Sequence, residues 1–160
     1  MEDLNEKITE NFTYGEFIRS TTAIRLGIDN IPKDNIIFKN IKNLAVEIQK
    51  IRDEFGGIRI LSGYRCPELN KAVGSSSTSL HCFGFAADIE PINTNVKLIE
   101  IINWIYSSNL KWRELICEYF PHGWCHYGFT ENIYTTNIKL KDNNHNYSIV
   151  SIDYLNKLYQ

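Results

Sequence analysis

One long apolar stripe constrains the fold more than any other feature of this sequence. Six apolar residues recur at steps of three and four between Asp34 and Phe55, which is the spacing of one face of an α-helix. These residues are Ile37, Ile41, Leu44, Ile48, Ile51 and Phe55. Because Gly56-Gly57 follows and is typical of a helix end, we predict a helix from about Asp34 to Phe55 that buries this stripe.

The remaining elements are short, and they mix helix and strand irregularly. Thr13 precedes Glu16 at the capping-box spacing, so a short helix is predicted to begin there. Further helical segments are predicted at 67–73, 96–106 and from about Ile152. Strands are predicted at 58–61, 85–89, 114–119 and 124–129, the last two joined by a turn at 120–123, with a weaker strand near 134–140. Without a regular βαβ alternation, this pattern indicates an α+β fold with a small, mainly antiparallel sheet flanked by helices.

The composition is that of an ordinary globular protein. The chain has 160 residues, of which 43% are hydrophobic, and this suits one domain over residues 1–160. The net charge of -2 and the lack of a basic stripe argue against a dedicated nucleic-acid-binding protein.

The N-terminus and the cysteines bear on where the chain is made. No basic segment precedes an apolar one, and no apolar run approaches the roughly 18 residues of a membrane span. We therefore expect synthesis in a cytoplasm without a signal peptide. Cys66, Cys82, Cys117 and Cys125 are even in number, but without a signal peptide we expect free thiols rather than disulfides. They also lack the closely spaced pairs of a cysteine zinc site.

Three residues are candidates for a metal site. Gly84 permits a tight turn between His81, in a loop, and Asp88, in a predicted strand. Asp88 interrupts an apolar run, where a buried carboxylate is costly unless it is paired or bound to a metal. His126 lies among aromatic residues on another predicted strand, where a core histidine is the ordinary interpretation. Together they could hold a catalytic zinc ion, but the spacing alone leaves open a metal-free core in which all three are structural.

Four short strings, in this order, resemble the M15 family of zinc peptidases. They are Ser62-Gly-Tyr-Arg65, Leu69-Asn-Lys-Ala-Val-Gly74, Ser79-x-His81-x-x-Gly84-x-Ala86-x-Asp88 and Trp124-x-His126. The similarity extends from about Phe12 to Phe129 and is to the phage and bacterial branch typified by zinc D-Ala-D-Ala carboxypeptidases. It implies the fold that these peptidases share with the Hedgehog signalling domain. It also implies that His81, Asp88 and His126 bind Zn²⁺.

The resemblance suggests residues that meet the substrate. Arg65 matches the family arginine that faces the substrate, and its planar guanidinium suits a peptide carboxylate or a developing oxyanion. A surface arginine stacked on Tyr64 is the plain alternative. We predict that Tyr64, Ser79 and Trp124 bind substrate, with an ordinary loop serine as the alternative for Ser79.

The sequence departs from the family pattern at the general base. Many relatives carry an acidic residue three positions before the second histidine, where this chain has Gly123. Glu118 resembles the glutamate that Hedgehog-like and phage relatives place on the preceding strand, and we predict it as the catalytic base. The alternative for Glu118 is an outer-shell role beside a metal ligand. His122 is a second candidate base, and His145 is assigned no role.

The resemblance leads to one expected function and two alternatives. We expect a monomeric zinc metallopeptidase that cuts peptidoglycan stem peptides, as a D,D-carboxypeptidase or an endopeptidase encoded by a phage or prophage. It would act on the cell wall after release or as part of a virion, with other phage or virion proteins as partners. The first alternative is a non-catalytic virion, tail or binding protein that retains the fold and the metal site. The second is the metal-free core protein described above.

Overall fold

The computed structural model describes residues 3–131 and 137–160. Two compact units make up the chain: one comprises residues 1–49 and 60–87, and the other residues 50–59 and 88–160. Among the described residues, no helix combines the length and the apolar character needed to cross a membrane. The prediction of one domain over residues 1–160 stays a prediction.

The first unit is mainly helical. Its helices are α1 (Tyr14–Ile18), α2 (Thr21–Leu26), the first part of α3 (Asn35–Phe55), α4 (Pro67–Ala72) and a 3-10 helix (Leu80–Phe83). The backbone N–H of Thr13 donates to Glu16 Oε2 at 2.8 Å, so α1 begins at the predicted capping box. Two phenylalanines that flank this cap, Phe12 and Phe17, are fully buried and meet edge to face, with ring centroids 5.7 Å apart.

Helix α3 confirms the predicted apolar stripe. Ile41, Leu44, Ile48 and Ile51 are all buried. The stripe therefore packs into the core along most of the helix, as its spacing predicts. Gly56 ends the helix with a φ of 81°.

Within the described residues, the sheet has six strands in the order β1-β2-β4-β3-β5-β6. The strands are β1 (Ile58–Ser62), β2 (Ala86–Pro91), β3 (Trp112–Glu118), β4 (Trp124–Phe129), β5 (Asn137–Lys141) and β6 (Tyr147–Val150). Pairs β3–β4 and β5–β6 are antiparallel, whereas β3–β5 is parallel. With helices α5 (Leu98–Ser107) and α6 (Ile152–Tyr159), this mostly antiparallel sheet confirms the α+β prediction.

The β3–β4 hairpin has a turn in which only glycine fits. Glu118 pairs with Trp124, and the N–H of Gly123 donates to the carbonyl oxygen of Tyr119 at 3.1 Å. A Cβ at position 123 would lie 1.7 Å from the Glu118 carbonyl oxygen, which is an impossible contact. The hairpin itself therefore excludes the acidic side chain that many relatives carry at this position.

The remaining predicted elements also occur, each within about two residues of its predicted bounds where the structure describes them. The exception is the strand predicted near 134–140, of which residues 134–136 lie outside the described residues. Three observed elements were not predicted: α2, the 3-10 helix and β6. Helix α2 buries only Ala23 and β6 buries no residue, so neither element carries an apolar periodicity that a sequence pattern could reveal.

Candidate metal centre

His81 is held by a backbone carbonyl. It lies in the 3-10 helix, which Gly84 closes with a φ of 71°, and only 2% of its surface is exposed. Its Nδ1 lies 2.7 Å from the carbonyl oxygen of Gly63. Because a carbonyl can only accept, Nδ1 carries the proton and Nε2 presents a lone pair that suits a metal ion.

Gly63 places this carbonyl through a close backbone contact. A Cβ at Gly63 would lie 2.3 Å from the carbonyl oxygen of Phe17, and the next residue, Tyr64, donates its N–H to that same oxygen at 2.6 Å. Only glycine lets the chain pass so close to the end of α1. The acceptor of His81 therefore depends on the backbone at Gly63 and not on any side chain.

His126 is held by carboxylates. It lies on β4 opposite Ile116 of β3, and it is buried together with Asp88 of β2. His126 Nδ1 lies 3.0 Å from Asp88 Oδ1, and His126 Nε2 lies 3.6 Å from Glu114 Oε1. Each imidazole nitrogen thus faces an acidic group, as is common for histidines at metal sites.

These carboxylates change the proton affinities around His126. Burial alone would lower the pKa of His126, but the interactions with Asp88 and Glu114 outweigh it and raise the pKa to about 9. The contact with His126, supported by Lys139, lowers the pKa of Glu114 to about 2 despite burial. A metal ion at His126 would therefore have to displace a proton, as is usual for histidine ligands.

The donor atoms of His81, Asp88 and His126 all lie within 4.8 Å of one another. In a tetrahedral site with bonds of ~2.0 Å, neighbouring ligand atoms are roughly 3.3 Å apart, so the 3.0 Å between Asp88 and His126 is close to that arrangement. Two imidazoles and one carboxylate form a donor set typical of catalytic zinc. The donor set therefore fits a zinc ion in its chemistry, and its donor atoms lie close enough together that the three residues could hold one ion.

Glu118 is a buried carboxylate on the same hairpin. Side chains alternate along β3, so Glu114, Ile116 and Glu118 share the sheet face of His126, which pairs with Ile116. Glu118 is 7% exposed, and its Oε2 accepts from Lys141 Nζ at 2.7 Å. Burial tends to lower the pKa of Lys141, but the bond to Glu118 raises it.

The predicted substrate-binding residues differ in exposure. Arg65 is half-buried, and its Nε donates to Ser62 Oγ at 2.8 Å while its backbone N–H donates to the His81 carbonyl oxygen at 3.2 Å. Ser79 is half-buried directly before the 3-10 helix. Tyr64 is only 6% exposed, and burial raises its pKa to about 12. It therefore offers little surface to a ligand, and the binding roles of these residues stay predictions.

Trp124 combines a partly exposed ring with a buried polar atom. Its indole N–H has no hydrogen-bond partner among the described residues, and its ring centroid lies 5.1 Å from that of Tyr119. Trp124 lies on the same strand face as His126, and its predicted contact with a substrate also stays a prediction.

The other histidines and the cysteines do not join this cluster. His122 is exposed in the hairpin turn, and exposed His145 has its Nδ1 2.9 Å from the hydroxyl of Tyr119. All four cysteines are free.

Sequence reasoning missed Glu114, Lys139 and Lys141. The period-two spacing of Glu114 and Glu118 on a predicted strand was a usable signal for a shared face. Nothing in the sequence pattern indicates that β5 pairs with β3 and brings the two lysines to these carboxylates.

A buried set of two histidines and one carboxylate is the kind of donor set that catalytic zinc sites use. The family model described as Peptidase M15 matches residues 10–118 of the chain. The chain therefore belongs to the peptidase M15 family, whose members are in general zinc-dependent metallopeptidases. The match ends at Glu118, so β4 with His126 and β5 with both lysines lie beyond it. No curated protein matches this chain.

Proposed function

We propose that this protein is a zinc metallopeptidase that hydrolyses peptide bonds in peptidoglycan stem peptides. It would act as a D,D-carboxypeptidase or endopeptidase, as a cell-wall hydrolase encoded by a phage or prophage. The observation that carries the proposal is the buried set His81, Asp88 and His126, with donor atoms within 4.8 Å of one another, in a member of the peptidase M15 family.

His81, Asp88 and His126 would hold the zinc ion. When bound, zinc supplies Lewis acidity, which lowers the pKa of a water molecule and polarises a carbonyl group. The Gly63 carbonyl keeps the proton of His81 on Nδ1, and Glu114 faces His126 Nε2. These two contacts orient the imidazoles for the role.

Glu118 would act as the general base. Its carboxylate would accept a proton from the attacking water and deliver it to the amine that leaves. Lys141 occupies Oε2 of Glu118, so Oε1 is the oxygen assigned to proton transfer. The closed turn at Gly123 supports this assignment, because no acidic side chain fits there.

Arg65 would bind the substrate by its charge. Its Nε bond to Ser62 orients the guanidinium, whose fork suits the carboxylate of a peptide or the charge that develops on a carbonyl oxygen. Tyr64, Ser79 and Trp124 complete the proposed substrate-binding residues. The protein would act as a monomer on the cell wall, after release from the cell or in a virion with other phage proteins.

The test is turnover by the zinc-loaded protein. It is incubated with purified peptidoglycan and, separately, with a stem pentapeptide ending in D-Ala-D-Ala, and the products are identified by mass spectrometry. We expect cleavage, and we expect Glu118→Gln to retain zinc but lower turnover by roughly 10²- to 10⁴-fold.

Each alternative has its own outcome. Absence of cleavage by zinc-loaded wild-type protein would refute the proposal and favour a non-catalytic virion, tail or binding protein. Protein purified without chelator and found free of zinc would instead favour a metal-free core. Cleavage that is equal in the wild type and Glu118→Gln would show that Glu118 is not the base.

A further inference from the structure

We propose that Lys141 is a positioning residue for Glu118, holding its carboxylate in the orientation that a general base requires. This inference rests on the proposed peptidase function. Lys141 lies beyond the residues that match the family model, so the inference comes from this chain's own contacts.

The pairing of β3 with β5 brings the two residues together. Glu118 and Lys141 are register partners of these parallel strands, and Lys141 Nζ lies 2.7 Å from Glu118 Oε2. Their side chains are only 10% and 17% exposed. A carboxylate in so little water is unfavourable unless a counter-ion and hydrogen bonds compensate for the lost hydration. Lys141 supplies both.

Lys141 is itself held from several sides. Its ammonium group lies 5.5 Å from the ring centre of Tyr119 and 5.3 Å from that of Tyr147, which are cation–π distances. Its carbonyl oxygen accepts the N–H of Tyr119 at 3.0 Å. The Tyr119 hydroxyl in turn bonds His145 Nδ1 at 2.9 Å. An ammonium fixed in this way can fix the group to which it donates.

The two carboxylate oxygens of Glu118 therefore have different roles: Oε2 binds Lys141, and Oε1 is left for proton transfer. Lys141 binds Oε2 and so limits rotation of the carboxylate, which leaves Oε1 in one defined direction. A base aligned before the reaction avoids the cost of ordering it during the reaction.

A second pair on the same strands points to a different task. Lys139 Nζ lies 2.7 Å from Glu114 Oε2, but Glu114 faces the ligand candidate His126. Lys141 is therefore the lysine of β5 that acts on the proposed base, whereas Lys139 supports the metal centre.

The experiment is a double-mutant cycle on the zinc-loaded protein with the stem peptide that the wild type cleaves. The variants are Lys141→Met, Glu118→Gln, their combination and Lys141→Arg. The control is Lys33→Met, which removes the lysine of an exposed ion pair with Asp29, where the side chains are 75% and 59% exposed. Thermal melting and zinc content are measured for each variant, and Lys141→Gln replaces Lys141→Met if the latter does not fold.

We expect Lys141→Met to lower kcat by about 10- to 100-fold, below the roughly 10²- to 10⁴-fold range for loss of a general base, with KM little changed. Lys141→Arg restores most of kcat, since arginine keeps the charge and the cation–π contacts. In the Glu118→Gln background, Lys141→Met has almost no further effect on kcat. Lys33→Met stays within about twofold of the wild type.

Two results overturn the inference while the proposed function stands: unchanged kcat in Lys141→Met, or an equal loss of kcat with and without Glu118. If zinc-loaded wild-type protein cleaves no peptide, the proposed function fails and this inference fails with it.

Discussion

The two histidines of the candidate metal centre are held in opposite ways. His81 donates to a backbone carbonyl, that of Gly63, which carries no net charge. His126 lies between two carboxylates, 3.0 Å from Asp88 and 3.6 Å from Glu114. Both imidazoles are almost fully buried, so burial does not account for the difference.

The difference teaches which property of each histidine the protein controls. A backbone carbonyl fixes the tautomer and position of His81, and no side-chain substitution removes it. The carboxylates of Asp88 and Glu114 add negative charge beside His126, which raises the pKa of His126 to about 9. The same negative charge favours binding of a divalent metal ion next to His126. Backbone geometry thus determines the tautomer and position of His81, whereas the charge of neighbouring side chains determines the pKa of His126.

Removing either histidine tests whether both are needed, and it carries the largest expected effect. We expect His81→Ala and His126→Ala each to lower zinc affinity by more than the roughly 10- to 100-fold that loss of an outer-shell partner costs. Affinity is measured by competition with a chromophoric chelator. His122→Ala, in the exposed turn, is the matched control and should keep zinc. Undiminished zinc binding in His81→Ala would contradict the assignment of the site.

Two glycines test the backbone side of the comparison. We expect Gly63→Ala and Gly123→Ala each to lower the free energy of unfolding by about 3 kcal/mol, because the new Cβ would meet a backbone oxygen at 2.3 Å and 1.7 Å. Gly27→Ala is the control, since its φ of 67° is strained but its Cβ meets no atom within 4 Å, and it should cost about 1 kcal/mol. Urea denaturation of all three variants measures these losses. Equal losses would show that the close contacts are relieved easily.

The charged side of the comparison is tested at Glu114. We expect Glu114→Gln to weaken zinc binding by about 10- to 100-fold, because His126 loses a charged outer-shell partner. Glu10→Gln, at an exposed position, should leave zinc affinity unchanged. If Glu114→Gln binds zinc as tightly as the wild type, Glu114 serves only its ion pair with Lys139.

Local patterns explain what could be predicted from the sequence. The long helix follows from its apolar spacing, and the β3–β4 hairpin from two apolar runs with a short turn between them. The grouping of His81 with Asp88 was predicted because Gly84 lies between them and permits a tight turn. In the structure, Gly84 closes the 3-10 helix with a φ of 71°.

Contacts between distant segments could not be predicted in this way. Lys141 reaches Glu118 across 23 positions of sequence, through a parallel pairing of β3 with β5 that no short-range pattern encodes. Strand β6 escaped prediction because it buries no residue and pairs with β5 at the edge of the sheet. The contact between Glu114 and His126 could not be predicted for a related reason. The alternation of side chains predicts which face of a strand a residue lies on, but not which strand lies next to it.

The sequence by itself determined which residues can bind a metal and which family the chain resembles, because ligand identity and motif order are properties of short segments. Only the tertiary structure decided what surrounds each of them. His81 contacts a backbone carbonyl, His126 lies between two carboxylates, and Glu118 accepts a hydrogen bond from Lys141. The physical reason is that proton affinity and orientation depend on the nearest charges and dipoles in space. Strand order, which the sequence pattern does not encode, sets those neighbours.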